Sequence, residues 1–399
     1  MSELLCKIES LAIFKGIRET EPLRSFCEFL KIADDVSEAR YDVLELYTAF
    51  VNELYKVRND GDLAYAIWYA LKNDSNPYLD AHIRSELSRM RTGEGIRISH
   101  LLKNCADREL KLIGEIAQTS YADVERLLAY DGYVAQFKTT GIDITERYNN
   151  MLAGIRDHGY GMFSDCTAFR FEDHTLRPVI YADPVSMNDL YCYDRQHSLI
   201  VNNTRAFAAG SDRALDALLY GDTGTGKSST VKAAARMFSN NGVRLVELPA
   251  ENTDQMPELI EMLSGIPMRF IIFIDDISFC PDDERVRRLK SILEGSASGD
   301  RRNIIIYATS DHRLMIRRSE SDADNGTEQT GLSERFGLRI AFEQPNDREY
   351  IEICRRLFEA GGRKIGDEEA FEKACLKFAD KTGGRSARTA RQFAARYVS

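Results

Sequence analysis

Two short stretches of this 399-residue sequence carry the residue types needed to handle a polyphosphate. The first is Gly221-Asp222-Thr223-Gly224-Thr225-Gly226-Lys227-Ser228-Ser229, which has the spacing G-x-x-x-x-G-K-[ST]. Glycines at these steps let a backbone fold around an anion with its N–H groups pointing inward. An apolar strand, Leu218-Leu219-Tyr220, precedes the loop, and a helix-forming segment over 227–238 follows it. The anion would therefore meet the uncapped donors and partial positive charge of a helix N-terminus. Lys227 is expected to reach the β- and γ-phosphates and Ser228 to offer its hydroxyl to Mg2+. The second stretch is Phe270-Ile271-Ile272-Phe273-Ile274-Asp275-Asp276, a buried-strand run ending in two acids. Acids at the C-terminal end of a strand sit where α/β sheets bind ligands. Asp275 is the candidate for the Mg2+ shell, and Asp276 for the base or water-orienting group in attack on a γ-phosphate. Together the stretches predict a Mg-ATP site. The string N/T-K-x-D that selects guanine is absent, which favours ATP over GTP.

The surrounding pattern supplies elements to hold these groups. Five apolar runs of strand length, 217–220, 243–248, 270–274, 304–308 and 338–342, alternate with helical stretches. Such alternation predicts a parallel sheet with both faces covered. Residues up to about 155 read instead as helices. Val43, Leu46, Phe50, Leu54 and Val57 recur at three- and four-residue steps, as do Leu63, Ile67 and Leu71 around Trp68. Turn formers cluster at 59–61, 73–77 and 93–95. The character changes near 159–165. From 346 onward the chain is helical again, with Asn346 and Glu349 spaced as a capping box and Gly361-Gly362 as a stop. The expected organisation is an all-α N-terminal domain (1–158), an α/β nucleotide-binding domain on a five-stranded parallel sheet (159–345), and a C-terminal helical lid (346–399).

The glycine loop and the Asp275-Asp276 pair resemble those of an AAA+ P-loop ATPase. The segment Leu289-Lys290-Ser291-Ile292-Leu293-Glu294-Gly295, the strand end Tyr307-Ala308-Thr309-Ser310, and Leu332-Ser333-Glu334-Arg335-Phe336-Gly337-Leu338 narrow the likeness. With the run 269–279, they resemble an uncharacterised bacterial family of predicted AAA+ ATPases under a domain-of-unknown-function label. The resemblance covers about 176–397. It implies that Thr309 or Ser310 acts as sensor 1, touching the γ-phosphate or the attacking water. Members of that family often carry Asn where this chain has Asp311, which leaves the sensing residue open. Many relatives have Glu in place of Asp276, whose reach is one methylene shorter. The resemblance also implies that Arg335 is an arginine finger for the ATP of a neighbouring subunit, and that Arg388, or alternatively Arg385, is sensor 2 on the lid. The adenine would lie beside Leu190-Tyr191-Cys192-Tyr193 and Gln196.

Composition narrows the client. A formal net charge of −10 argues against broad nucleic-acid coating. Two basic stretches, one after Lys381 and one holding Arg285, Arg287, Arg288 and Lys290, keep nucleic acid as the disfavoured alternative. No aromatic–hydrophobic–glycine loop lies between the second strand and the acid pair, which disfavours a threading unfoldase. The segment 318–331, rich in Ser, Asp, Glu and Gly, reads as a mobile loop. The eight scattered cysteines form no C-x-x-C pair, and no apolar run is long enough for a membrane helix. The sequence therefore predicts a cytoplasmic ATPase that forms homo-oligomers on binding ATP, makes no membrane contact, and remodels a protein client held by its N-terminal helices. A loader acting on nucleic acid and an ATP-gated scaffold that does not hydrolyse are the alternatives.

Overall fold

A computed structural model describes residues 2–33, 40–180, 184–277, 289, 291–293, 301–311 and 334–397. Arg285, Arg287, Arg288, Lys290, Glu294, Gly295, residues 318–331, Leu332 and Ser333 lie outside the described residues. The chain divides into two compact units, Met1–Asp165 and Cys166–Ser399.

The first unit is helical. Its main helices are Ser2–Glu9, Leu23–Ala33, Arg40–Val57, Leu63–Asn73, Pro77–Thr92, His100–Ala117, Tyr121–Leu128 and Ile144–Ala153. Breaks between helices fall where turn formers cluster. Asp62 caps Leu63–Asn73 by accepting from the Tyr65 amide, and Asn76 caps the next helix ahead of Pro77, a residue suited to a first turn. Val43, Phe50 and Leu54 of the three-four apolar stripe are buried and Leu46 and Val57 are partly buried, with Phe50 stacked on Phe26 at a centroid distance of 4.4 Å. Glu109 is buried yet satisfied, because its carboxylate accepts the backbone amides of Ala12, Ile13 and Phe14.

The second unit is built on one sheet whose described strands number seven rather than the expected five. The strands are β1 (Ala168–Glu172), β2 (Thr175–Pro178), β3 (Ala217–Gly221), β4 (Val243–Glu247), β5 (Arg269–Ile274), β6 (Ile304–Ser310) and β7 (Leu338–Phe342), ordered β2-β1-β4-β5-β6-β3-β7. All five expected strands are present and pair in parallel. The two additional strands form a hairpin that joins the sheet where β1 pairs in parallel with β4. Its signal was in the sequence: Phe169 and Phe171 face inward, alternating with Arg170 and Glu172. The hairpin turn hides it, because Asp173 and His174 take positive φ (51° and 56°) where Asn-Gly would be the usual marker. Every residue of β5 is buried, as expected of a central strand covered on both faces.

Helices Asp194–Ala208, Lys227–Met237 and Met256–Ser264 flank the sheet. Three more, Asp347–Ala360, Glu368–Thr382 and Ala387–Arg396, gather around their own core of Tyr350, Phe358, Phe371 and Phe393. The capping box at Asn346 and Glu349 forms as the spacing predicts.

Candidate functional site

Strand register brings the two motif stretches to one edge of the sheet. Gly221 pairs with Phe342, Tyr220 with Ser310, and Ile274 with Ala308. The glycine loop after β3, the acids after β5 and the last residues of β6 therefore emerge together. Gly221 has φ +132°, and a Cβ there would sit 2.1 Å from the Phe342 carbonyl oxygen, so only glycine allows β3 and β7 to pair at this point. Gly226, at φ +96°, is the N-cap of Lys227–Met237 and brings no side chain to its first amides. Those amides are thus oriented as an anion would need them.

Residues distant in sequence meet at the acid pair. Ser228 Oγ donates to Asp275 Oδ1 at 2.6 Å across 47 residues of chain. Thr309 Oγ1 donates to the same oxygen and accepts the Asp276 amide at 2.9 Å. That second bond holds Asp276 at φ +56°, a left-handed backbone uncommon outside glycine. Asp276 is exposed and lines the cleft. Thr309 and Ser310 are separated by their facing: Thr309 turns toward the acids, while Ser310 Oγ donates to the Ile277 carbonyl at 2.9 Å and does not line the cleft. Ser228 and Asp275 form an all-oxygen donor pair suited to a hard cation that keeps waters and takes further ligands from a substrate. No group of three or more His, Cys, Asp or Glu residues able to hold a metal exists among the described residues.

Lys227 is buried. Its Nζ donates to the carbonyls of Gly221 and Asp222 at 3.0 and 2.8 Å, and lies 2.7 Å from Asp311 Oδ1. Thr223 Oγ1 donates to the other Asp311 oxygen at 2.8 Å. Burial alone would raise the Asp311 pKa. The hydrogen bonds from Lys227 and Thr223, with the charges of Lys227 and Arg388, outweigh that effect and leave it below the ordinary carboxylate value. Asp222 is held from the other side, its amide donating to the Phe342 carbonyl and its carboxylate accepting from the Gln344 amide. Thr225 Oγ1 closes the loop onto the Asp222 carbonyl.

Thr225, Lys227, Ser228, Asp275, Asp276, Thr309 and Asp311 line a cleft of about 610 Å³ between the sheet edge and the C-terminal helices. Gly224, Ser229 and Arg388 also line it, and the Arg388 amide donates to the Gly224 carbonyl at 3.2 Å. Arg385 instead pairs with Asp347 and Asp380 and is not among the lining residues. Leu190, Tyr191 and Tyr193 line the cleft, whereas Gln196 is engaged by the Ala341 carbonyl and does not. Arg335 is exposed and lies outside the cleft. Several lining residues were not singled out from sequence: Lys232, Ile353, Leu357, Arg391 and Gln392. A signal existed, because Arg388, Arg391 and Gln392 share one helix face at three- and four-residue steps, as do Ile353 and Leu357. Only the folded chain shows which face meets the loop.

A mainly parallel sheet, a glycine loop running from a central strand into a helix, paired acids on a nearby strand tip and a C-terminal helical cluster define an AAA+-type P-loop α/β fold. The model of the family described as a protein of unknown function (DUF815) matches residues 164–399, and the chain belongs to that family. A curated relative, the Holliday junction branch migration complex subunit RuvB of Staphylococcus haemolyticus, is 30% identical over 191 residues, which cover 44% of this chain and 54% of that protein. The chain thus spans about half the length of the curated relative it matches. Among solved structures, the RuvB branch migration motor of Thermotoga maritima is similar at 16% identity and a TM-score of 0.38, covering 53% of this chain and 64% of that one. PCH-2 of C. elegans is similar at 18% identity and a TM-score of 0.38, covering 52% and 63%. Among the described residues no helix is long and apolar enough to cross a membrane.

Proposed function

We propose that this protein binds Mg-ATP in the cleft at residues 221–229 and hydrolyses it to remodel a partner protein. The observation that carries the reading is the meeting of Ser228 Oγ with Asp275 at 2.6 Å, directly beside the uncapped helix N-terminus and Lys227. A loop hydroxyl and a strand-tip acid converge there on the position a phosphate-bound cation would take.

In this reading the loop amides and Lys227 hold the β- and γ-phosphates, and Arg388 closes over them from the C-terminal helices, which serve as a lid. Ser228 and Asp275 would hold Mg2+, which neutralises phosphate charge when bound. Asp276 orients a water in line with the γ-phosphorus and receives its proton, so that ADP and inorganic phosphate are released. Thr309, rather than Ser310, fixes Asp276 for that task. Arg335 acts on the site of a neighbouring subunit, which accords with its exposure away from its own cleft. The N-terminal helical unit holds the client.

The test is nucleotide binding and turnover in two variants. Lys227→Ala should lose ATP binding. Asp276→Asn should bind ATP and not hydrolyse it, so brisk turnover in that variant removes Asp276 from its role. A wild type that binds ATP without turnover at any protein concentration would favour the scaffold instead.

One finding supports a second reading. The RuvB relative is by name a subunit acting on Holliday junctions, which makes nucleic acid the alternative client. Retention on DNA that falls steeply with salt would favour it, and indifference to DNA at low salt would exclude it.

A further inference from the structure

Asp311 is a charged group of the cleft that this mechanism does not use. It stands directly after β6, with Oδ1 2.7 Å from Lys227 Nζ and Oδ2 accepting from Thr223 Oγ1 at 2.8 Å. The Lys227 side chain is 4% exposed and that of Asp311 38%. An ammonium has three donors, and here they face three acceptors: the Gly221 carbonyl, the Asp222 carbonyl and the Asp311 carboxylate. A phosphate oxygen can therefore reach Lys227 only by displacing one of them. The two carbonyls belong to the loop that forms the cradle itself. The carboxylate, half open to the cleft, is the acceptor that can leave.

Charge makes that exchange unequal between nucleotides. A carboxylate next to the cation opposes a second anion arriving at the same cation, and the opposition grows with each negative charge brought close. In that reading a triphosphate brings its γ-phosphate to the lysine in addition to the β-phosphate, whereas a diphosphate brings the β-phosphate alone.

We propose that Asp311 is an internal counterion to Lys227 that selects against the γ-phosphate, biasing the site toward ADP until the carboxylate is displaced. The Thr223 hydroxyl anchors it from the opposite side, so loop and strand tip are tied together through one acid. This rests on the nucleotide reading above and adds to it a built-in brake on loading with ATP.

The experiment is a titration of the full-length chain with MgADP and with the magnesium complex of the non-hydrolysable β,γ-imido analogue of ATP. It compares wild type, Asp311→Asn and Thr223→Val. Asp311→Asn keeps the side-chain volume and a carbonyl acceptor while removing the charge. It should shift the ratio of the two dissociation constants toward the triphosphate by about tenfold, equivalent to ~1.4 kcal/mol. Thr223→Val, which frees the carboxylate without removing it, should shift the ratio the same way by a smaller factor. A ratio that stays within about threefold of wild type in both variants, or a triphosphate that binds more weakly, overturns the counterion role and leaves the nucleotide site standing. If wild type and variants bind neither nucleotide, the nucleotide reading falls and the counterion role falls with it.

Discussion

Replacing Thr309 with valine removes one hydroxyl and almost no volume, and it isolates the contact that joins the two acids. The Thr309 hydroxyl, on a residue only 2% exposed, donates to Asp275 and accepts the Asp276 amide. Asp275 keeps the Ser228 bond after the change, so the main unsatisfied group is the Asp276 amide. Leaving one buried polar group unpaired costs ~1–3 kcal/mol, and the part exposure of this acid pair argues for ~1–2. For a unit the size of Cys166–Ser399, each kcal/mol moves the melting temperature by roughly 2–4 °C, so a drop of about 2–8 °C is expected. The functional effect should be larger. A left-handed backbone at a non-glycine residue costs ~1–3 kcal/mol and persists only where its surroundings hold it. Without the Thr309 oxygen, Asp276 can relax away from φ +56°. A shift of about 1 Å in a positioned group can cost ~10²-fold in rate. Thermal unfolding and ATP turnover at saturating nucleotide, measured for Thr309→Val and Thr309→Ser, make the assay. Serine retains the hydroxyl and should keep most of the turnover. Wild-type turnover in the valine variant, with an unchanged melting temperature, would refute the clamp.

Three further outcomes follow from the same geometry. Gly221→Ala places a methyl 2.1 Å from the Phe342 carbonyl oxygen at φ +132°, and separating β3 from β7 should cost at least ~2 kcal/mol of stability in a denaturant titration. Arg335→Ala should lower turnover by ~10³-fold when measured alone; mixing it with Lys227→Ala subunits, which keep Arg335, should restore activity if the arginine acts between subunits. The Asp311 pKa is depressed in the fold, so its pairing with Lys227 contributes stability above the ordinary carboxylate pKa and loses it as pH falls through the lower folded value. The melting temperature of wild type should therefore exceed that of Asp311→Asn at pH 7, and the gap should close under acid conditions below pH ~4.

Much of this molecule is legible along the chain, because its signals are local. The loop glycines demand backbone freedom whatever surrounds them. The apolar run from Phe270 to Ile274 is a buried strand by composition, and the cap of Asn346 with Glu349 needs only a spacing of three residues. The class of fold, the five central strands and the identity of the loop and the two acids follow from such features. The hairpin Ala168–Glu172 with Thr175–Pro178 escaped because its turn uses Asp173 and His174 in place of the glycine that usually marks one.

What tertiary structure alone decided is which side chains face which. Thr309 and Ser310 are neighbours with nearly the same chemistry. Pleating sends one to the acids and the other to the Ile277 carbonyl, and no composition rule distinguishes them. Arg388 and Arg385 are likewise both basic and adjacent to a helix start, yet only Arg388 reaches the cleft, because Asp347 and Asp380 draw Arg385 elsewhere. The pairing of Lys227 with Asp311 joins positions 84 residues apart in sequence. It exists because β3 and β6 lie side by side, and strand order is a property of the folded sheet rather than of either strand.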